Sequence, residues 1–261
     1  MVLIEKLIYV MIRLFYGIVA MKYSLTGGRN LIYITGDTHR DFSRIAMFCW
    51  ANQTTIDDVL IILGDVGINY YGNPSDLQLK HVLATLPITL FCIHGNHENR
   101  PENIDTYEEA ERFGGKVHTE ADFPNLLFAK DGEIYSFDGK KRCLVIGGAY
   151  SIDKHIRIKN AQHWWGDEQP SEQTKERIEG RITQHDWGVD IVLSHTCPKK
   201  YMPVEAFLTG FDRSVVDSST EEWLDTIESR LTYSSWYCGH FHTEKVVDGV
   251  HFLYKSIEEL G

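Results

Sequence analysis

Five short polar clusters punctuate the chain, in the order Gly36-Asp37-Thr38-His39, Gly64-Asp65, Gly95-Asn96-His97-Glu98, Ser194-His195 and Gly239-His240-Phe241-His242. Each follows an apolar, strand-like run and opens with Gly or Ser, where a backbone can turn tightly and send side chains into a shared crevice. Together they supply Asp37, His39, Asp65, Asn96, His195, His240 and His242. Two carboxylates, one amide oxygen and four imidazoles form a donor set with the chemistry to hold two divalent cations. No cluster carries this reading alone; the ordered set does. Two such ions about 3.5–4 Å apart repel, and the ligand between them must be one that can bridge, which a carboxylate can do and an imidazole normally cannot. Nitrogen and oxygen donors without thiolate suit Mn²⁺, Fe or Zn²⁺ over Ca²⁺.

The elements that must position these clusters alternate in type. Residues 31–35, 59–63 and 88–93 read as short buried strands, with helices over 42–51 and 77–86 between them, the pattern of βαβ units and a parallel sheet. From 117 to 150 the character changes to short strands at 126–128, 133–137 and 143–146. Asp131-Gly132 and Asp138-Gly139 between them read as hairpin turns. A polar helix follows Pro170 from Ser171 to about residue 185, and a buried strand at 191–193 then carries Ser194-His195. Strands at 235–238, 245–247 and 250–253, with Asp248-Gly249 as a turn, complete the pattern. Metal-type residues thus sit at strand ends in both halves of the chain, which fits two sheets packed face to face with helices outside.

A chain of 261 residues with 43% apolar and 24% charged residues can bury one large α/β core. Its net charge of −11 argues against extensive nucleic-acid binding, which needs a basic face. Cys49, Cys92, Cys143, Cys197 and Cys238 are odd in number and widely spaced, as in a reduced cytoplasmic protein rather than a disulfide framework. Cys238 reads as a buried strand residue rather than a soft ligand. Residues 1–29 form an N-terminal extension ahead of a catalytic domain at 30–261. Leu3, Leu7, Val10, Leu14 and Ile18 recur at helical spacing, but Glu5, Lys6 and Arg13 break any charge-free membrane span. An accessory amphipathic helix, a membrane-associated segment and an over-extended start before Met21 all remain open.

The ordered clusters resemble those of the calcineurin-like metallophosphoesterases, whose pattern runs D-x-H, G-D-x-x-D, G-N-H-[DE], a lone His, then G-H-x-H. The resemblance spans roughly residues 30–255. It implies a four-layered αββα sandwich of two mixed β-sheets flanked by helices. It also implies a dinuclear site in which Asp65 bridges, Asp37, His39 and His242 complete one metal, and Asn96, His195 and His240 the other. A metal-bridging hydroxide would then attack a small phosphomonoester or phosphodiester. His97 would stand near the leaving group as proton donor, with Glu98 orienting its ring. Two carboxylates and a hydroxide against two M²⁺ leave about +1, enough to draw an anionic ester to an acidic protein. Ile68 stands where the family often has a second Asp, which is not usually a ligand. The acidic residue and Arg that continue this motif in the protein Ser/Thr phosphatases are absent.

Arg40 and Arg100, each close behind a metal motif, are candidate phosphate clamps or else ordinary salt-bridging arginines. His94, His155 and His163 read as structural or surface residues. Trp164-Trp165 reads as core or lid packing, with base stacking as the alternative, and Glu221-Glu222 as an exposed helix face. A phosphoprotein phosphatase is the runner-up enzyme, and a DNA nuclease is disfavoured by the acidity. A scaffold that has lost turnover would be expected to lack a ligand or His97, and none is missing.

Overall fold

A strand covered on both faces has to be apolar at nearly every position, and the three strands that open the described chain are. In the computed structural model, which describes residues 30–206 and 216–261, β1 (Ile32–Thr35), β2 (Val59–Ile62) and β3 (Thr89–Cys92) are buried almost throughout and pair in parallel. β6 (Leu126–Ala129) continues the sheet in parallel. β5 (Gly115–Thr119), β4 (Glu108–Arg112) and, on the far edge, β13 (Ile257–Glu259) add to it antiparallel. A second sheet holds β7 (Ile134–Tyr135), β8 (Cys143–Ile146), β9 (Ile191–Ser194), β10 (Ser235–Cys238), β11 (Lys245–Val247) and β12 (Val250–Phe252). Among the described residues the strand orders are β13-β1-β2-β3-β6-β5-β4 and β11-β12-β10-β9-β8-β7.

Side-chain alternation along each strand separates the layers. Ile32, Ile34, Ile61 and Phe91 meet Tyr135, Val145, Leu193 and Tyr237 of the other sheet in a central core. Their alternates Tyr33, Leu60, Ile62 and Leu90 face Ile45 and Cys49 of α1 (Ser43–Asn52) and Leu83 of α2 (Pro74–Leu83). Beyond the second sheet, Leu144, Val192 and Trp236 pack on Ile178 and Ile182 of α4 (Glu172–Gln184) and on Leu224 and Ile227 of α5 (Ser219–Glu228). A short helix, α3 (Lys154–Lys159), follows the end of β8. This is the four-layered αββα sandwich expected from sequence. Helix starts follow their capping residues: Asn73 accepts from Ser75 N ahead of α2, with Pro74 at its first position, and Ser171 accepts from Thr174 N ahead of α4.

One local expectation fails, and one element went unforeseen. Asp131-Gly132 is no hairpin, because β6 and β7 belong to different sheets. The turn carries the chain from one sheet to the other, and the Asp131 carboxylate accepts from Gly147 N and from Arg100. Asp138-Gly139 and Asp248-Gly249 do join antiparallel pairs. The β4–β5 hairpin was not anticipated. Its first strand reads Glu-Glu-Ala-Glu-Arg, a helix-favouring composition that edge pairing overrides. All five cysteines are buried free thiols. No helix among the described residues is long and apolar enough to cross a membrane. The readings of residues 1–29 lie outside the described residues.

Candidate metal centre

Five strands deliver the polar clusters. β1, β2 and β3 end just before Asp37, Asp65 and Asn96, and β9 and β10 end just before His195 and His240. Parallel pairing within each sheet puts these C-terminal ends side by side. The loops then turn hard. His39, Asp65, His240 and His242 all have positive φ, at 46°, 46°, 67° and 49°, a strain of about 1–3 kcal/mol each that marks functional sites. Glycine is required where loops meet: a Cβ on Gly64 (φ 94°) would lie 2.1 Å from His195 Nδ1, and one on Gly95 2.1 Å from Asp65 N and Oδ1.

The donors converge. His195 Nδ1 lies 2.7 Å from the Leu63 carbonyl, which can only accept, so Nδ1 carries the proton and Nε2 is left bare. Nε2 faces Asn96 Oδ1 at 2.9 Å, with Asp65 Oδ1 at 3.5 Å. His39 Nε2 and His242 Nε2 are 2.8 Å apart, and Asp37 Oδ2 lies 3.6 and 3.2 Å from them. That oxygen is buried without a hydrogen-bond partner among the described residues. Groups held this close need a proton or a cation among them. Two groups come within reach of a single ion, one of Asp37, His39 and His242, the other of Asp37, Asp65 and His195. The His240 ring packs edge-on to His195 at 5.0 Å.

Burial pushes His240 down to about 3, so its ring is neutral. The remaining capacity of the carboxylates is spent on the loops. Asp65 Oδ1 accepts from Asn96 N at 2.8 Å and His97 N at 2.9 Å, and Asp37 Oδ1 accepts from His240 N at 2.9 Å. The residues present fit divalent metal ions.

The donors open into a pocket of about 790 Å³ whose walls include His97, Arg40, Tyr70, Tyr71, Ile152 and Arg157. His97 Nε2 stands 3.9 Å from Asp65 Oδ2, beside the donors rather than among them. Burial lowers its pKa and Asp65 counters the shift. Glu98 does not orient that ring. Its carboxylate is fully buried and accepts from the backbone N–H of Val66, Gly67 and Gly95, clamping two motif loops together. Burial and Asp65 push it up to about 8, against the pull of those donors.

Arg40 reaches the pocket but donates to Gly67 O and Asp76 Oδ1, both at 2.6 Å. Arg100 is not a pocket residue. It is half-buried, donating to Asp131 Oδ2 at 2.7 Å and to the Asp167 carbonyl at 2.9 Å, so its place as a phosphate clamp is corrected to a structural one. Sequence reading missed Arg157, whose Nε donates to Asp153 at 2.7 Å and whose Nη1 donates to Tyr70 Oη at 2.7 Å. Nothing in the run Lys-His-Ile-Arg-Ile-Lys flags it. Tyr70 and Tyr71 follow the second motif closely, a signal that was available. Trp164 donates to Glu168 and Trp165 packs against His163, so neither joins the pocket wall. Glu221 is buried, accepting from Thr196, whereas Glu222 is exposed.

A family model for calcineurin-like phosphoesterase matches residues 31–244. No curated protein matches the chain. Among solved structures it is similar to TT1561 of Thermus thermophilus, at 10% identity and a TM-score of 0.48, over 88% of this chain and 97% of that one. It is also similar to the phosphopantetheinyl hydrolase PptH from Mycobacterium tuberculosis, at 15% identity and a TM-score of 0.42, over 86% and 88%. These likenesses are too distant to carry an argument about activity. The family match runs through all five polar clusters, and on that ground the chain belongs to the calcineurin-like phosphoesterase family of metal-dependent hydrolases.

Proposed function

We propose that the protein hydrolyses a small phosphodiester at a dinuclear metal centre. The observation that carries this is the pair of acceptor groups meeting at Asp37, open to a pocket that His97 overlooks. Asp37, His39 and His242 would hold one ion and Asp65 and His195 the other, with Asp37 within reach of both and Asn96 and His240 completing the set by the family resemblance. Two divalent cations, when bound, supply positive charge and a water acidic enough to attack phosphorus. Asp37 and Asp65 cancel only part of that charge, so the centre attracts an anionic ester although the chain carries −11. His97 would supply a proton from Nε2 where an ester oxygen leaves; burial lowers its pKa, which makes the imidazolium a stronger but less populated acid, and Asp65 counters that shift.

The diester preference rests on the arginines. A monoester brings a second negative charge that needs its own cation. Arg40 is occupied by Asp76, Arg157 by Asp153, and Arg100 lies outside the pocket. Tyr70, Tyr71 and Ile152 give the wall an apolar character suited to a second ester substituent. The expected result is a kcat/KM for bis(4-nitrophenyl) phosphate at least equal to that for 4-nitrophenyl phosphate with the same metal. A clear preference for the monoester would favour the phosphatase reading instead.

A further inference from the structure

Tyr70 and Arg157 both line the pocket, Tyr70 from the loop after Asp65 and Arg157 from α3. Their contact decides where the hydrogens go. Arg157 Nη1 lies 2.7 Å from Tyr70 Oη, and a guanidinium only donates, so the phenol oxygen accepts. The hydroxyl hydrogen of Tyr70 is left without an acceptor among the described residues. The guanidinium is not exhausted either. Nε donates to Asp153 Oδ2 at 2.7 Å and Nη1 also reaches the His163 carbonyl at 3.4 Å, which leaves Nη2 without an acceptor among the described residues.

One hydrogen-bonded pair thus offers the pocket two donors, and its charge is already spent. Asp153 neutralises the guanidinium, so the pair suits an uncharged acceptor better than a second anion. Neither side chain bonds to a metal donor, since their partners are each other, Asp153 and His163. The part of an ester they can meet is therefore the part beyond phosphorus. The surface beside them is aromatic: the Tyr71 ring, 38% exposed, packs edge-on to Tyr70 at 4.8 Å, and the His163 ring lies 5.8 Å from Tyr70. Such a wall holds a substituent whose apolar body lies on the rings while its acceptor meets the donors.

The geometry points to Tyr70 and Arg157 as specificity-determining residues: the Tyr70 hydroxyl and Arg157 Nη2 donate to an uncharged acceptor, a carbonyl oxygen or ring nitrogen, on the second substituent of the ester. The inference rests on the diester reading and names the substituent chemistry that reading leaves open. A site built to hydrogen-bond its substrate rejects an analogue without the acceptor, because its own donors are then left unpaired.

The test compares kcat/KM of the Mn²⁺-loaded protein for methyl, phenyl and thymidine-5′ 4-nitrophenyl phosphate, which share a leaving group. Among their second substituents only thymidine carries ring carbonyls. Wild type is expected to prefer the thymidine ester to the phenyl ester by about 10-fold or more. Tyr70→Phe keeps the ring and deletes the hydroxyl, and is expected to lower that ratio about 10-fold. Arg157→Lys keeps a charge beside Asp153 and deletes Nη2, and is expected to lower the ratio by a similar factor. The loss should lie in KM, because a contact remote from phosphorus is held alike in the ground and transition states. An unchanged ratio in either variant overturns the proposal. So does an equal loss for all three esters, which would assign the pair to the phosphoryl group. Should Arg157→Lys fail to fold, Tyr70→Phe decides alone. A wild type that hydrolyses 4-nitrophenyl phosphate but none of the diesters sinks the diester reading and this inference with it. One that hydrolyses all three diesters without preferring the thymidine ester sinks this inference only.

Discussion

His97 and Glu98 are adjacent in the chain and act on different things. His97 faces the pocket beside Asp65, and Glu98 turns inward to three backbone N–H groups. Residue type and order were enough to point to Asp37, His39, Asp65, His195 and His242, which the fold brings within reach of an ion. Sequence could not say which way a side chain beside a donor points. Arg100 shows the same limit, since its partners Asp131 and Asp167 lie 31 and 67 residues away along the chain. His97→Asn should therefore lower kcat by about 10²–10⁴-fold while metal content stays at the wild-type level. Steady-state kinetics with elemental analysis of the same sample checks this. The defect should shrink for leaving groups of low pKa, which need less protonation. Loss of metal, or near-normal turnover, would remove His97 from the proton-donor role.

At the scale of elements, the strands that carry donors were legible because burial on both faces makes them continuously apolar. What stayed hidden was pairing. Nothing local tells Asp131-Gly132 that its flanking strands part to separate sheets, and the charged β4 gains its conformation from β5. Where loops cross, the fold leaves no slack. Gly95 packs against the Asp65 backbone and carboxylate so closely that a methyl group would sit 2.1 Å from both. Gly95→Ala is expected to displace Asp65, to lower metal stoichiometry, and to cut turnover by about 10²-fold or more, as a shift of about 1 Å in a reacting centre does. Circular dichroism should still show the sandwich, because the central core lies elsewhere. A variant with normal metal content and rate would show that the loop has room to relax.

The whole molecule brings two sheets together so that strand ends from both meet in one crevice, a relation that sequence separation conceals and the motif order reveals only through resemblance. Its acidity sets a further constraint: the local charge that receives a phosphate ester must come from bound ions, because the arginines near the pocket are already paired. Turnover should then follow metal occupancy. The most direct measurement is to titrate metal-stripped protein with Mn²⁺ while following hydrolysis of bis(4-nitrophenyl) phosphate, for wild type and for the near-isosteric Asp65→Asn. No turnover is expected before metal is added, then a rise to a plateau at two equivalents, and no plateau for Asp65→Asn. Full turnover in the stripped protein, saturation at one equivalent, or unimpaired turnover in Asp65→Asn would contradict the dinuclear centre.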